Sequence, residues 1–159
     1  ALMAPWAIIK YGSPATALPV ETAGQSVTAY DKAAQEDSLR VEFRTGEEDF
    51  IIASNYPVDM SRESNGAMEL VFDAISLEGD AQVDVGMGCE GGADCDAFVP
   101  VTLSADWSEV RLSMSCFADQ GVKMEYLMKA LIISGDAGQA LGVSNVRLEE
   151  DANGTQDCG

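Results

Sequence analysis

The stretch SLRVEFR, residues 38–44, alternates Leu39, Val41 and Phe43 with Arg40, Glu42 and Arg44. A period of two marks a strand with one face in a core and the other in water. Runs of the same kind surround it. EDFIIAS (48–54) follows a turn at Gly46, and MELVFDAISL (68–77) puts Met68, Leu70, Phe72 and Ala74 on one side. AQVDVGMGC (81–89) does so with Val83, Val85 and Met87, and WSEVRLSMSCF (107–117) with Val110, Leu112, Met114 and Cys116. KALIISG (129–135) and QALGVSNVRLEE (139–150) end the series. AFVPVTL (97–103) is also strand-like, and its Pro100 predicts a sheet edge or a bulge. Turn segments such as SNG, EGD, SAD and GDAG separate the runs. This spacing predicts an all-β, two-sheet antiparallel β-sandwich over 36–150. VKMEYLMK (122–129) is the one short helix expected.

Outside this block the signals fade. Residues 1–35 contain one strand-like run, WAIIKY, and are otherwise rich in Pro, Gly, Thr and Ala. They read as an irregular lead-in or linker that packs on a neighbouring domain. Residues 151–159, DANGTQDCG, read as a polar tail. ALMAPWAII at the start lacks the basic flank of a signal peptide and is broken by Pro5.

The chain of 159 residues carries 27 acidic and 9 basic side chains, a net charge of -18. A phosphate backbone or an anionic membrane surface would be repelled, so neither nucleic acid nor membrane is an expected partner. A neutral glycan would not be repelled. The sequence has no histidine. Imidazole-based triads and His-ligated zinc are therefore excluded from it. No apolar run reaches the roughly 20 residues of a membrane span.

Cys89, Cys95, Cys116 and Cys158 allow three pairings. The glycine-rich loop GCEGGADC favours a local Cys89–Cys95 bridge, which leaves Cys116 to reach Cys158. C-x5-C followed by two isolated cysteines lacks the paired knuckles of a zinc site.

Four segments, in order, carry a family resemblance: DKAAQEDSLRVEF, VDMSRESNGAMELVFDAI, VGMGCEGGADC, and the long run from WSEVRLSMSCFADQG to VRLEE. Together, residues 30–148 resemble the C-terminal galactose-binding-like domain of bacterial glycoside hydrolase family 3 β-glucosidases and exo-1,3/1,4-β-glucanases. The resemblance implies a jelly-roll sandwich that follows two catalytic domains, in the periplasm or outside the cell. That family's catalytic carboxylates lie on the other domains, so no catalytic residue is carried over. The implied function is a non-catalytic accessory module of a secreted β-glucan-degrading enzyme. It would stabilise or orient the catalytic domains and contact polymeric substrate. An autonomous carbohydrate-binding module for β-glucan and a purely structural or oligomerisation domain are the alternatives.

With 27 acidic residues, pairs of carboxylates at a glycosidase-like spacing arise by coincidence. Sugar contact instead needs an aromatic ring to stack on a pyranose and polar groups beside it. The candidates are Trp6 and Tyr11 in the lead-in, Tyr56 in SNYP, and Tyr126. Trp107 reads as a lid on the core. Gln25 and Gln35 are amides placed to project toward a catalytic neighbour. No cofactor is expected. Calcium, a structural ion in this fold class, would draw on Glu36, Asp37, Glu149, Glu150 and Asp151.

Overall fold

The computed structural model describes residues 6–10, 13–15, 18–34, 37–65 and 68–150. Its strands are β1 (Ala7–Lys10), β2 (Ser13–Pro14), β3 (Val20–Glu21), β4 (Gln25–Tyr30), β5 (Ser38–Phe43) and β6 (Phe50–Val58). They continue with β7 (Met68–Ser76), β8 (Ala81–Cys89), β9 (Asp96–Leu103), β10 (Ser108–Ser113), β11 (Leu127–Ser134) and β12 (Ala140–Glu150). Two short helices, α1 (Ser61–Asn65) and α2 (Met114–Ala118), lie between strands. The first sheet has the order β2-β1-β6-β11-β8-β9 and the second β10-β7-β12-β5-β4-β3. Every pairing of these strands is antiparallel. The all-β sandwich expected from the sequence is the fold observed.

The alternation read from the sequence decides which side chains meet. Val41 and Phe43 of β5, Phe72 and Ala74 of β7, and Leu141 and Val143 of β12 point inward from the second sheet. Phe50, Val83, Val85, Met87, Leu131 and Ile133 face them from the first. Burying such side chains contributes about 1.5–3 kcal/mol each, which is what holds the two sheets together. β12 keeps its alternation only by means of a bulge. The register shifts between Ser144 and Arg147, and Asn145 takes a φ of 55°. Asparagine tolerates that left-handed geometry better than most residues. Pro100 lies in β9, at one end of the first sheet, where its missing N–H leaves no ladder bond unmade.

Three expectations need correction. Residues 1–35 are not an irregular lead-in, because β1 to β4 lie within them and are paired into both sheets. The reason is the 22–24 turn. The Thr22 hydroxyl accepts from the N–H groups of Gly24 and Gln25, so Val20 folds back beside Val27 and both are buried. Residues 122–129 are not a helix. They form a single 3₁₀ turn at Met124–Tyr126 and then enter β11. Leu127 pairs with both Val58 and Cys89, and two ladders outweigh a local helical preference. Finally, Met114 and Cys116 lie in α2, not in a continuing strand. The Ser113 side chain accepts from the N–H of Ser115 and starts the helix.

The Cys89–Cys95 bridge is present and closes the loop between β8 and β9. Cys116 is buried, and Cys158 lies outside the described residues. No helix among the described residues is long and apolar enough to cross a membrane.

Phe72 of β7, opposite Val110 of the edge strand β10, is buried between the sheets. Phe72→Ala is expected to lower unfolding stability by about 3–5 kcal/mol, measured by urea denaturation. A loss under about 1 kcal/mol would mean that the core is not organised around this ring.

Candidate carbohydrate-contact face

The outward side of the first sheet carries three successive rows of side chains. Asp49 precedes Phe50, which pairs with Ile133, so Asp49 lies beside Ser134, and Ser134 pairs with Asp84. The next row is Ile51, Ile132, Gly86 and Phe98. The third is Ala53, Lys129, Gly88 and Asp96. Two glycines in β8 make this face flat. A Cβ at Gly86 would lie 2.7 Å from the Phe98 ring, and one at Gly88 would collide with an Asp96 carboxylate oxygen. Phe98 and Asp96 can rest on the strand only because those positions lack side chains. The Lys129 ammonium donates to both Asp96 oxygens, at 2.9 and 3.1 Å.

Further along these strands, Tyr126 directly precedes Leu127 at its pairing with Val58, and Tyr56 lies in the irregular stretch of β6 between Ala53 and Val58. They are 50 % and 58 % exposed, unusual for large rings in this protein. The N–H of Glu90 donates to the Tyr126 carbonyl, so the disulfide-closed loop braces this end. From Ser134 to Tyr126 the strip runs roughly 25 Å, the reach of a short oligosaccharide. Carboxylates accept and the ammonium donates, and exposed phenol rings offer flat apolar surface. That combination suits vicinal hydroxyls and the face of a pyranose.

The carboxyl of Asp49 is held above its ordinary range, chiefly by burial. The Ser134 hydroxyl opposes this, Asp96 and Asp84 add to it, and Lys129 opposes it.

The other residues singled out from the sequence are scattered. Trp6 lines an apolar cavity of about 310 Å³ between the sheets, with Met60, Leu70, Leu127 and Leu148, and does not lie on the tyrosine face. Gln25 does not project toward a neighbour. It lies opposite Phe43, only 2 % exposed, and its amide donates to the Asp49 carbonyl. Tyr11, Gln35, Glu36 and Asp151 lie outside the described residues. Asp37 accepts from the backbone N–H groups of Lys32, Ala33 and Ala34, which lower its pKa. Glu149 accepts from Arg147 and Arg111, which lower its pKa too. Asp37 adjoins Ser144, five residues along β12 from Glu149, so roughly 15 Å separates these two calcium candidates. Among the described residues no cluster of three acidic, cysteine or histidine side chains suits a metal ion. Lys129, Asp96 and Phe98 went unnoticed in the sequence. The signal was GMG at 86–88, two glycines at strand period on the outward side.

A family model for the galactose-binding-like Exop_C domain matches residues 4–148. The chain belongs to the Exop_C family. No curated protein matches its sequence. The Exop_C chain is similar in fold to the extra C-terminal domain of the exo-1,3/1,4-β-glucanase ExoP from a Pseudoalteromonas species. The TM-score is 0.66 at 9 % identity, covering 96 % of this chain and 88 % of that one. Against the whole ExoP glucanase the TM-score is 0.70 at 11 % identity, with 99 % of this chain and 20 % of that chain covered. A family 11 carbohydrate-binding module from Clostridium thermocellum, in complex with a β-1,3-1,4-mixed-linked tetrasaccharide, gives 0.57 at 11 % identity, covering 93 % and 90 %.

The sign of the Asp49 effect is testable. Its folded pKa is raised, so the folded state favours the neutral acid. The associated stability is present below the unfolded value of 3.8 and is lost as pH rises through the folded pKa. Asp49→Asn is always neutral and is expected to have the higher Tm at about pH 7. The difference should shrink to nothing below pH 3.8. A lower Tm for the variant at neutral pH would contradict this account.

Proposed function

We propose that this Exop_C domain is a non-catalytic accessory module of a secreted, β-glucan-degrading glycoside hydrolase. It stabilises or orients the catalytic domains and contacts polymeric substrate through the outward face of its first sheet. The reading rests on one observation: a glycine-floored strip that carries the Lys129–Asp96 pair runs along β11 toward a sheet end with two exposed tyrosines. The family and the likeness to a glucanase's extra domain support the setting. The likeness to a module in complex with a mixed-linked tetrasaccharide supports the ligand class. The Cys89–Cys95 bridge supports an oxidising compartment, periplasmic or extracellular.

The charge pattern favours a neutral ligand. Asp49 and Asp84 lie beside the paired Asp96, and Lys129 is the cation that faces them. An acidic polysaccharide would be repelled from such a face.

Calorimetric titration of the chain with laminarin, mixed-linkage β-glucan and their oligosaccharides tests the contact. Saturable binding is expected. Tyr126→Ala and Tyr56→Ala should each weaken it by about 1 kcal/mol, roughly fivefold, for loss of one aromatic contact. Binding that both variants leave unchanged would overturn this face as the site. No binding at millimolar sugar would leave the domain an architectural part.

A further inference from the structure

The outward side of the second sheet carries an aromatic platform of its own. Trp107 does not cap the core, as its place before β10 suggested. Its ring tip rests on β12 at Gly142, where a Cβ would lie 2.8 Å from the indole. Gly142 pairs with Arg40 on one side and Ile75 on the other, and Arg40 pairs with Thr28. The Tyr30 ring lies beside the indole, with centroids 6.4 Å apart and planes tilted by 35°. The Lys32 ammonium stands 5.5 Å from the indole centre and 3.6 Å from Asp73. Both rings are half-buried. The arrangement is built: a glycine gives the indole its seat, a tyrosine flanks it, and a cation holds one side.

The charges of this face select its occupant. Lys32, Arg40, Arg44, Arg111 and Arg147 all lie on this sheet or at its margins, five of the nine basic side chains in the chain. Each is matched. Lys32 pairs with Asp73, Arg40 with Glu42 and Arg44 with Glu21. Arg111 and Arg147 share Glu109 and Glu149, and Arg111 also meets Glu69. In a chain of net charge -18 these five cations meet six carboxylates, so the paired groups nearly cancel. The face offers little field to attract a charged partner, and it surrounds two rings with hydroxyl, carboxylate and guanidinium groups. A neutral saccharide matches that chemistry: ring against ring, hydroxyls against Thr28, Arg40 and Asp73.

We propose that Trp107 and Tyr30 form a second saccharide-binding platform, on the sheet opposite the Tyr56–Tyr126 strip, with Thr28, Arg40 and Asp73 as hydrogen-bonding partners. The sheets are stacked back to back, roughly 10 Å apart. The two platforms therefore face away from each other, and one domain joins two separate glucan strands. The ligand class is taken from the function proposed above; the site is independent of it. Two linked sites raise the apparent affinity for polymer over that for oligosaccharide without any new contact.

The chain has two tryptophans, so Trp6→Phe leaves Trp107 as the sole indole. That variant is titrated with a mixed-linkage β-glucan tetrasaccharide while indole emission and the ¹H–¹⁵N resonance of Tyr126 are followed. The expected result is a saturable change in indole emission. It should persist when Tyr126→Ala is added, and Tyr30→Ala, folded by circular dichroism, should weaken it roughly fivefold or more. A silent indole while the Tyr126 resonance shifts would overturn the second platform and leave the first. A responding indole with a still Tyr126 resonance would support the second and overturn the first. Silence of both would overturn both.

Discussion

Each central strand of this sandwich commits alternate side chains to one shared core, and that constraint assigns everything else. Once Val41, Phe43, Phe72, Leu141 and Val143 face Phe50, Val85, Leu131 and Ile133, the remaining positions of those strands face outward. A shift of one residue in any strand would turn apolar groups to water and charges to the core. The protein therefore has two outward surfaces whose composition is fixed by the pleat. On the first, Gly86 and Gly88 make room for Phe98 and Asp96. On the second, Gly142 makes room for Trp107. In both sheets an outward glycine of a strand lets a neighbour lie flat.

Charge follows the same division. The excess of carboxylates is carried over much of the surface, whereas the second sheet engages each of its basic groups in an ion pair or a shared network. Exposed pairs of this kind add little stability, roughly 0–1 kcal/mol each. Their effect is to cancel local field. An acidic surface keeps other anions away and keeps copies of the chain apart, while the compensated face remains open to neutral groups.

Much of the fold was legible in the sequence because alternation along a strand is a local signal. SLRVEFR, MELVFDAISL and the apolar set of AQVDVGMGC read as they fold. Pro100 marked an edge correctly, and GCEGGADC marked its own bridge. The failures have a common cause. β1 to β3 have no more than four residues, too short for periodicity to show, and β1 is held by pairing with the distant β6. VKMEYLMK has helical spacing, but Leu127 is claimed by strands on both sides. The exposure of Tyr56 and Tyr126 agrees with their reading as surface rings. Trp107 was misread, since a large ring at the start of a strand gives no sign of which face it takes. Its partner is a glycine far along the chain, and only the register brings them together.

The position of β12 has a consequence for how the molecule is made. This strand is the last in chain order among the described residues, yet it lies in the interior of its sheet, between β7 and β5. Leu141 pairs with Val41 and Ser76. Until residues 140–150 have left the ribosome, β5 and β7 each present an unpaired inner edge, and the second sheet exists as two separate fragments. Closure across so much chain is entropically slow. The second sheet thus stays open until β12 is made, and a chain stopped before Ala140 would expose two sticky edges in place of one finished sheet.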